Sequence, residues 1–158
     1  MAREVIEYDP IIAILRSHLL ANEQLMKWGS WTDGEALVLP RYLDYAGDAI
    51  YPCITICRDY GIRLKNRTGY EESHYFIHGW MKQSTSENGG TSILDDVAFL
   101  MNVVKETLDD DPITGKQVNE LAMCRMMDSR CPCYSADTRT YFFMTDWHIV
   151  ASNNIYLK

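Results

Sequence analysis

Two histidines four residues apart, His74 and His78 in SHYFIHGW, are the first groups in this chain whose spacing invites a chemical reading. On a β-strand side chains alternate, so His74, Phe76, His78 and Trp80 share one face and Tyr75, Ile77, Gly79 and Met81 the other. Both imidazoles could then meet one ion, with His148 or an acid as a third ligand. The thiols come next. Cys131-Pro132-Cys133 offers two sulfurs to a metal, while Cys53 and Cys57 sit in an apolar run where small thiols commonly pack. No second tight cysteine pair, HExxH, zinc-deaminase signature or carboxylate cluster of matching spacing completes either set. A metal site needs three or more convergent groups, so the expectation for His74 and His78 is a structural or subunit-contact role, and for the cysteines packing as free thiols.

Other reaction chemistry is as thinly represented. The chain has no GxGxxG, no GxxxxGK[ST] and no GxSxG, and Ser73, Cys57 and Cys124 lack a neighbouring base motif. The expectation is therefore a protein without catalytic, cofactor-binding or metal residues, working by shape. A small metal- or thiol-dependent enzyme using His74, His78 and Cys131 or Cys133 is the distant alternative.

Charge narrows the partners. Lys and Arg number 15 against 22 Asp and Glu, a formal charge of -7, which argues against a protein whose work is gripping phosphate backbones. The basic cluster Arg58, Arg63, Lys65 and Arg67, in RDYGIRLKNR, is followed at once by Glu71 and Glu72. Such a mixed-sign segment suits a solvated loop or a subunit contact. Asp109, Asp110 and Asp111 end an apolar-periodic segment, where a helix macrodipole disfavours negative charge. That broken rule is a pointer toward an interface or site, but the favoured reading is the plainer one, a solvated turn stopped by Pro112.

The elements that must position these groups come from one ordinary core: 158 residues, 47% apolar and 23% charged, suit a single domain over residues 1–158. No apolar run reaches the length of a membrane span, and MAREVIEYDP has no apolar h-region behind its charges, so the protein is expected to work in a cytoplasm. Five cysteines, an odd number without framework spacing, fit a reducing compartment.

In DPIIAILRSHLL, Asp9 can cap and Pro10 can open a helix whose stripe is Ile11, Ile14, Leu15, His18 and Leu19. A loop with a short strand over residues 36–39 follows, then a strand at PCITICR, a polar excursion over residues 59–73, and a partner strand over residues 74–82. Residues 92–108 predict a helix with Leu94, Val97, Met101, Val104 and Leu108 on one face, of which Val97, Met101 and Val104 should be buried. VNELAMCRMM fits helix or strand, and RTYFFMTDWHIVA alternates as a closing strand. The fold expected is α+β: a small mixed, mainly antiparallel sheet with two main helices packed on one face.

This pattern resembles the tail terminator, or tail completion, proteins of long-tailed bacteriophages, of the lambda type. The resemblance rests on the helix at DPIIAILRSHLL, the strands YPCITI and YFIHGWMK, the helix SILDDVAFLMNVVKETL and the strand YFFMTDWHIV. It departs from the family over residues 31–51 and 59–73. What the resemblance implies is a virion protein assembled in the host cytoplasm, a homo-oligomer forming a hexameric ring. Such a ring caps the completed tail tube and joins the tail tube protein to the head-tail connector protein, and DNA passes through the channel without specific binding. Arg63, Lys65, Arg67, Asp109, Asp110 and Asp111 are then the candidate subunit-interface or channel residues. A head completion or connector-stopper protein of the same neck is the near alternative.

Overall fold

Asp9 starts the first helix as its sequence predicts. In the computed structural model, which describes residues 9–41, 50–60, 65–67, 69–82, 93–113 and 115–156 (backbone alone at 65–67 and 156), α1 spans Pro10–Leu20. Asp9 Oδ1 accepts from the Ile11 amide at 2.9 Å and Pro10 occupies the first turn, satisfying a donor that would otherwise be orphaned. Ile11, Ile12, Leu15 and Leu19 are buried, whereas Ile14 is half-buried. His18 leaves the predicted stripe to bond Glu120 at 2.7 Å. The short α2, Glu23–Lys27, is capped by Asn22, whose side chain accepts from the Leu25 amide at 3.0 Å.

Five strands lie in the order β1-β2-β4-β6-β5: β1 Val38–Leu39, β2 Cys53–Arg58, β4 Tyr70–Lys82, β5 Met123–Ser135 and β6 Thr140–Ser152. The pair β1–β2 is parallel and the others are antiparallel. A further strand, β3 at Lys65–Arg67, pairs with Tyr70–Glu72. Because β6 occupies one edge of β4 along its whole length, β3 must lie on the edge that β2 leaves free. The predicted polar excursion over 59–73 is therefore partly strand. Its signal was hidden because the paired residues are polar, Lys65 with Glu72 and Asn66 with Glu71; beside them Arg58 of β2 bonds Glu71 at 2.6 Å, both 13% exposed, in a segment whose mixed charge suits a solvated loop or a subunit contact.

The period-2 alternation gives the sheet two distinct faces. Tyr75, Ile77, Phe143, Trp147 and Ile149 join Ile54, Ile56 and the buried residues of α1 and α3 in one cluster. Gly79 stands opposite Phe143, and a Cβ there would overlap the Phe143 ring, so only glycine leaves that ring room to lie across the sheet. On the other face Cys53 and Trp80 form a smaller cluster with Leu37, Leu39, Tyr51 and Phe142.

The second long helix, α3, spans Ile93–Leu108 and buries Ile93, Val97, Leu100, Val103, Val104 and Leu108. Two of the expected face residues are displaced: Leu94 is 44% exposed and Met101 is only partly buried. At about 100° per residue both lie roughly a quarter-turn from Ile93, so the true stripe is centred on Ile93, Val97, Leu100 and Val104. The stretch that fitted either period divides: residues 118–122 form loop, turn and bend, and residues 123–127 open β5, which carries register shifts at Met126/Asp128 and Arg130/Cys133. Pro132, which has no N–H for a ladder, is tolerated because β5 is an edge strand.

Candidate functional site

The sheet face bearing His74, Phe76, His78 and Trp80 forms as the alternation predicts, and it distributes the two histidines to different neighbours. His74 stands in register with His148 and stacks on it, ring centroids 5.0 Å apart and planes 16° apart. Its Nδ1 is 3.7 Å from Asp146 Oδ1. Both atoms are buried with no hydrogen-bond partner, because that separation exceeds hydrogen-bond reach. His78 belongs to an aromatic stack: it lies 5.5 Å from Trp80, which lies 4.6 Å from Phe142. The indole N–H of Trp80 donates to Thr55 Oγ1 at 3.0 Å, anchoring the stack. Burial pulls the His78 pKa down to about 4, so the ring is neutral at neutral pH. Among the described residues, no group of three or more His, Cys, Asp or Glu is placed to hold a metal ion.

The thiols divide by burial. Cys53, Cys57 and Cys124 are buried. Burial pushes Cys53 up to about 12, and raises Cys124 with Asp110 and Asp109 adding to it, so both stay protonated rather than becoming nucleophilic thiolates. Cys131 packs against the main core, whereas Cys133 stands in register with Phe142. Burial raises both.

The three acids after α3 are where the structure adds most. Asp109 Oδ1 accepts from the Met126 amide at 2.9 Å, and Asp110 Oδ2 from the Cys124 amide at 2.9 Å. The Asp110 amide in turn donates to the Cys124 carbonyl at 2.9 Å. Asp111 forms a tight turn, its Oδ1 accepting from the Ile113 amide at 2.6 Å and its backbone pairing with Gly115. Two of the carboxylates thus cover amides on the outer edge of β5 that β6 cannot reach. The unfavourable helix-end charge has a local cause: it supplies acceptors to an edge strand. Of the basic candidates, Lys65 and Arg67 lie in β3 rather than in a loop, and Arg63 lies outside the described residues.

A cleft of about 260 Å³ opens where β5, β6 and β4 adjoin, lined by Phe76, Asp128, Arg130, Met144 and Asp146 together with Ser129 and Thr145. Of these residues only Phe76 belongs to a pattern visible in the sequence, the alternation that sets it beside His74 and His78. The signal available for the others was Asp146, a charge placed within an otherwise apolar and aromatic strand.

What the fold defines is an α+β protein on a mixed, mostly antiparallel sheet, and among the described residues no helix is long and apolar enough to cross a membrane. No protein-family model matches the chain, and comparison with curated proteins finds no match.

Proposed function

We propose that this chain is a ring-forming subunit of a bacteriophage neck, of the tail-terminator kind, which caps the completed tail tube and joins it to the head connector. The observation that carries this reading is the inequality of the two sheet edges. At one edge β1 is 2 residues long; at the other β5 runs 13 residues with Arg125, Met127, Asp128, Ser129 and Arg130 exposed. Unlike flanks suit head-to-tail contacts, in which one patch meets a different patch on the next copy, and such contacts form a ring when the rotation from copy to copy closes. The element order agrees with the layout the resemblance implies, and an acidic wall would let DNA pass without holding it.

The test is native mass measurement with negative-stain imaging, on the purified chain alone and mixed with tail tube protein. Rings of about six copies, formed alone or on tube ends, support the reading. A monomer in both mixtures defeats it. Rings that bind the portal or connector and ignore the tube place the chain at the head side instead, as a completion or stopper protein.

A further inference from the structure

We propose that Asp109, Asp110 and Asp128 are guards that stop a second copy of this chain from adding its own β5 strand to the β5 edge of the sheet. The inference holds whether or not the chain forms rings, because it excludes one mode of contact, strand addition, and leaves contacts between side chains open.

An edge strand becomes a template for another strand when it is long and carries a row of unpaired amides beside apolar side chains. The length of β5 is 13 residues, and its apolar groups are on view: Met127 is 59% and Tyr134 49% exposed. What it withholds is the amides. Cys124, Met126 and Ser129 donate theirs to the carboxylates of Asp110, Asp109 and Asp128, each at 2.9 Å, and Pro132 has none to donate. The Cys124 carbonyl is occupied as well, by the Asp110 amide. Register shifts at Met126/Asp128 and Arg130/Cys133 turn the edge away from a regular partner. Asp128 holds its place although it stands in register with Asp146, a like charge that weakens the strand pair.

The far edge is closed by the same device with the opposite charge. The Leu37 carbonyl accepts from the Ile54 amide at 2.8 Å, so the next carbonyl, that of Val38, faces away from β2, and Arg16 Nε of α1 donates to it at 2.8 Å. Where the edge presents amides its partners are acids, and where it presents a carbonyl the partner is a base. This matching of charge to backbone group at both edges marks the acids as guards rather than a solvated run. The partner kept out is a second copy, since two identical edges turned antiparallel can supply each other's missing main-chain bonds.

The experiment compares the full-length wild type with Asp109→Ala/Asp128→Ala, with Asp128→Ala alone, and with Leu100→Ala, a core truncation that lowers stability but leaves the guards in place. Sedimentation velocity over a concentration series follows association, and infrared spectra of carbon-13-labelled chain mixed with unlabelled chain report strands of different copies lying side by side. The double variant should associate at concentrations about tenfold or more below wild type, with strand coupling between copies and with hydrogen exchange at Met126 and Ser129 slowing as concentration rises. Asp128→Ala should do the same more weakly at Ser129. Because Ser129 is exposed and water can replace its lost acceptor, this single variant keeps its fold and carries the test if the double variant does not fold. Adding Met127→Lys, a charge on the edge, should return either variant to wild-type behaviour. Wild-type association in both Asp variants would overturn the proposal, as would association without strand coupling or without slowed exchange at these amides, which would place the contact elsewhere. Strand coupling in the wild type itself would overturn it, and so would equal coupling in Leu100→Ala, by tracing association to lost stability.

Discussion

Asp110 and Cys124 hold each other twice: the Asp110 amide donates to the Cys124 carbonyl, and the Cys124 amide donates to the Asp110 carboxylate, each at 2.9 Å. A side chain here replaces one half of a β-bridge. The end of α3 is thereby fastened to the first residues of β5, at the point where the sheet edge would otherwise offer unpaired amides to another chain.

Replacing Asp110 or Asp109 by Ala should each cost about 1–3 kcal/mol, since a buried or edge amide loses a charged acceptor. Asp110→Asn keeps an acceptor oxygen and should cost less. Denaturant melts measure the loss, and hydrogen exchange at Cys124 and Met126 locates it; unchanged exchange in the Ala variants would contradict this role.

Gly79→Ala should destabilise the protein by about 1–3 kcal/mol, because the added methyl meets the Phe143 ring and forces repacking. Phe143→Leu, costly alone, should be less costly in the Gly79→Ala background. A double-mutant cycle with no coupling would show that the ring has room to move aside.

Stability should fall as the solution is acidified through the range from about 6.5 to about 4. His78 is buried neutral with its pKa lowered to about 4, so below 6.5 the unfolded chain takes up a proton that the native state resists. The stabilisation is complete above the unfolded pKa and lost as pH falls through the folded one, to a limit of about 3 kcal/mol. Thermal melts at several pH values read the slope, and His78→Gln should flatten it. Glu120 adds a second, more acidic window: its pKa is lowered chiefly by the hydrogen bond from His18, so that contribution disappears as the carboxylate protonates.

On α3, Leu100→Ala should cost about 2–5 kcal/mol as a core truncation. Leu94→Ala, at a 44% exposed position, should lie within about 0.5 kcal/mol of wild type. Equal losses at the two sites would mean that the buried stripe is centred elsewhere.

Charge reversal at Arg63, Lys65 and Arg67 should impair ring assembly without changing the circular dichroism of the subunit, if this segment meets the next copy. Salt should weaken the wild-type ring in parallel by screening. Wild-type rings in the reversed variant would remove the segment from the interface.

The elements legible in the sequence were those whose burial follows a period. Asp9 with Pro10 marked the start of α1, and the alternation of residues 74–82 and of the closing strand marked β4 and β6. Residues that act across the chain were not legible in this way. Arg58 looked like part of a solvated basic run, and its partner Glu71 is brought to it only by strand pairing. The acids at 109–111 broke a helix rule because their acceptors serve amides of β5 that no local pattern announces. Phe76, Asp128 and Asp146 come from three strands, so the cleft they line exists only once register is set. Leu94 and Met101 show the other limit: period without phase leaves a helix face uncertain by a quarter-turn.

The ladder between β4 and β6 sets the timing of the fold. It joins Tyr70 to Ser152 and Lys82 to Thr140, partners that must meet across a long intervening chain, and such closures slow folding relative to helical proteins. On a ribosome, everything through α3 emerges before β6 exists. Until then β4, with Tyr75, Phe76, Ile77 and Trp80 along it, is paired on one side and bare on the other. Nascent or truncated chains ending before Thr140 should therefore be the species that chaperones hold and that aggregate when chaperones are scarce, and the last strand converts that hazard into the centre of the sheet.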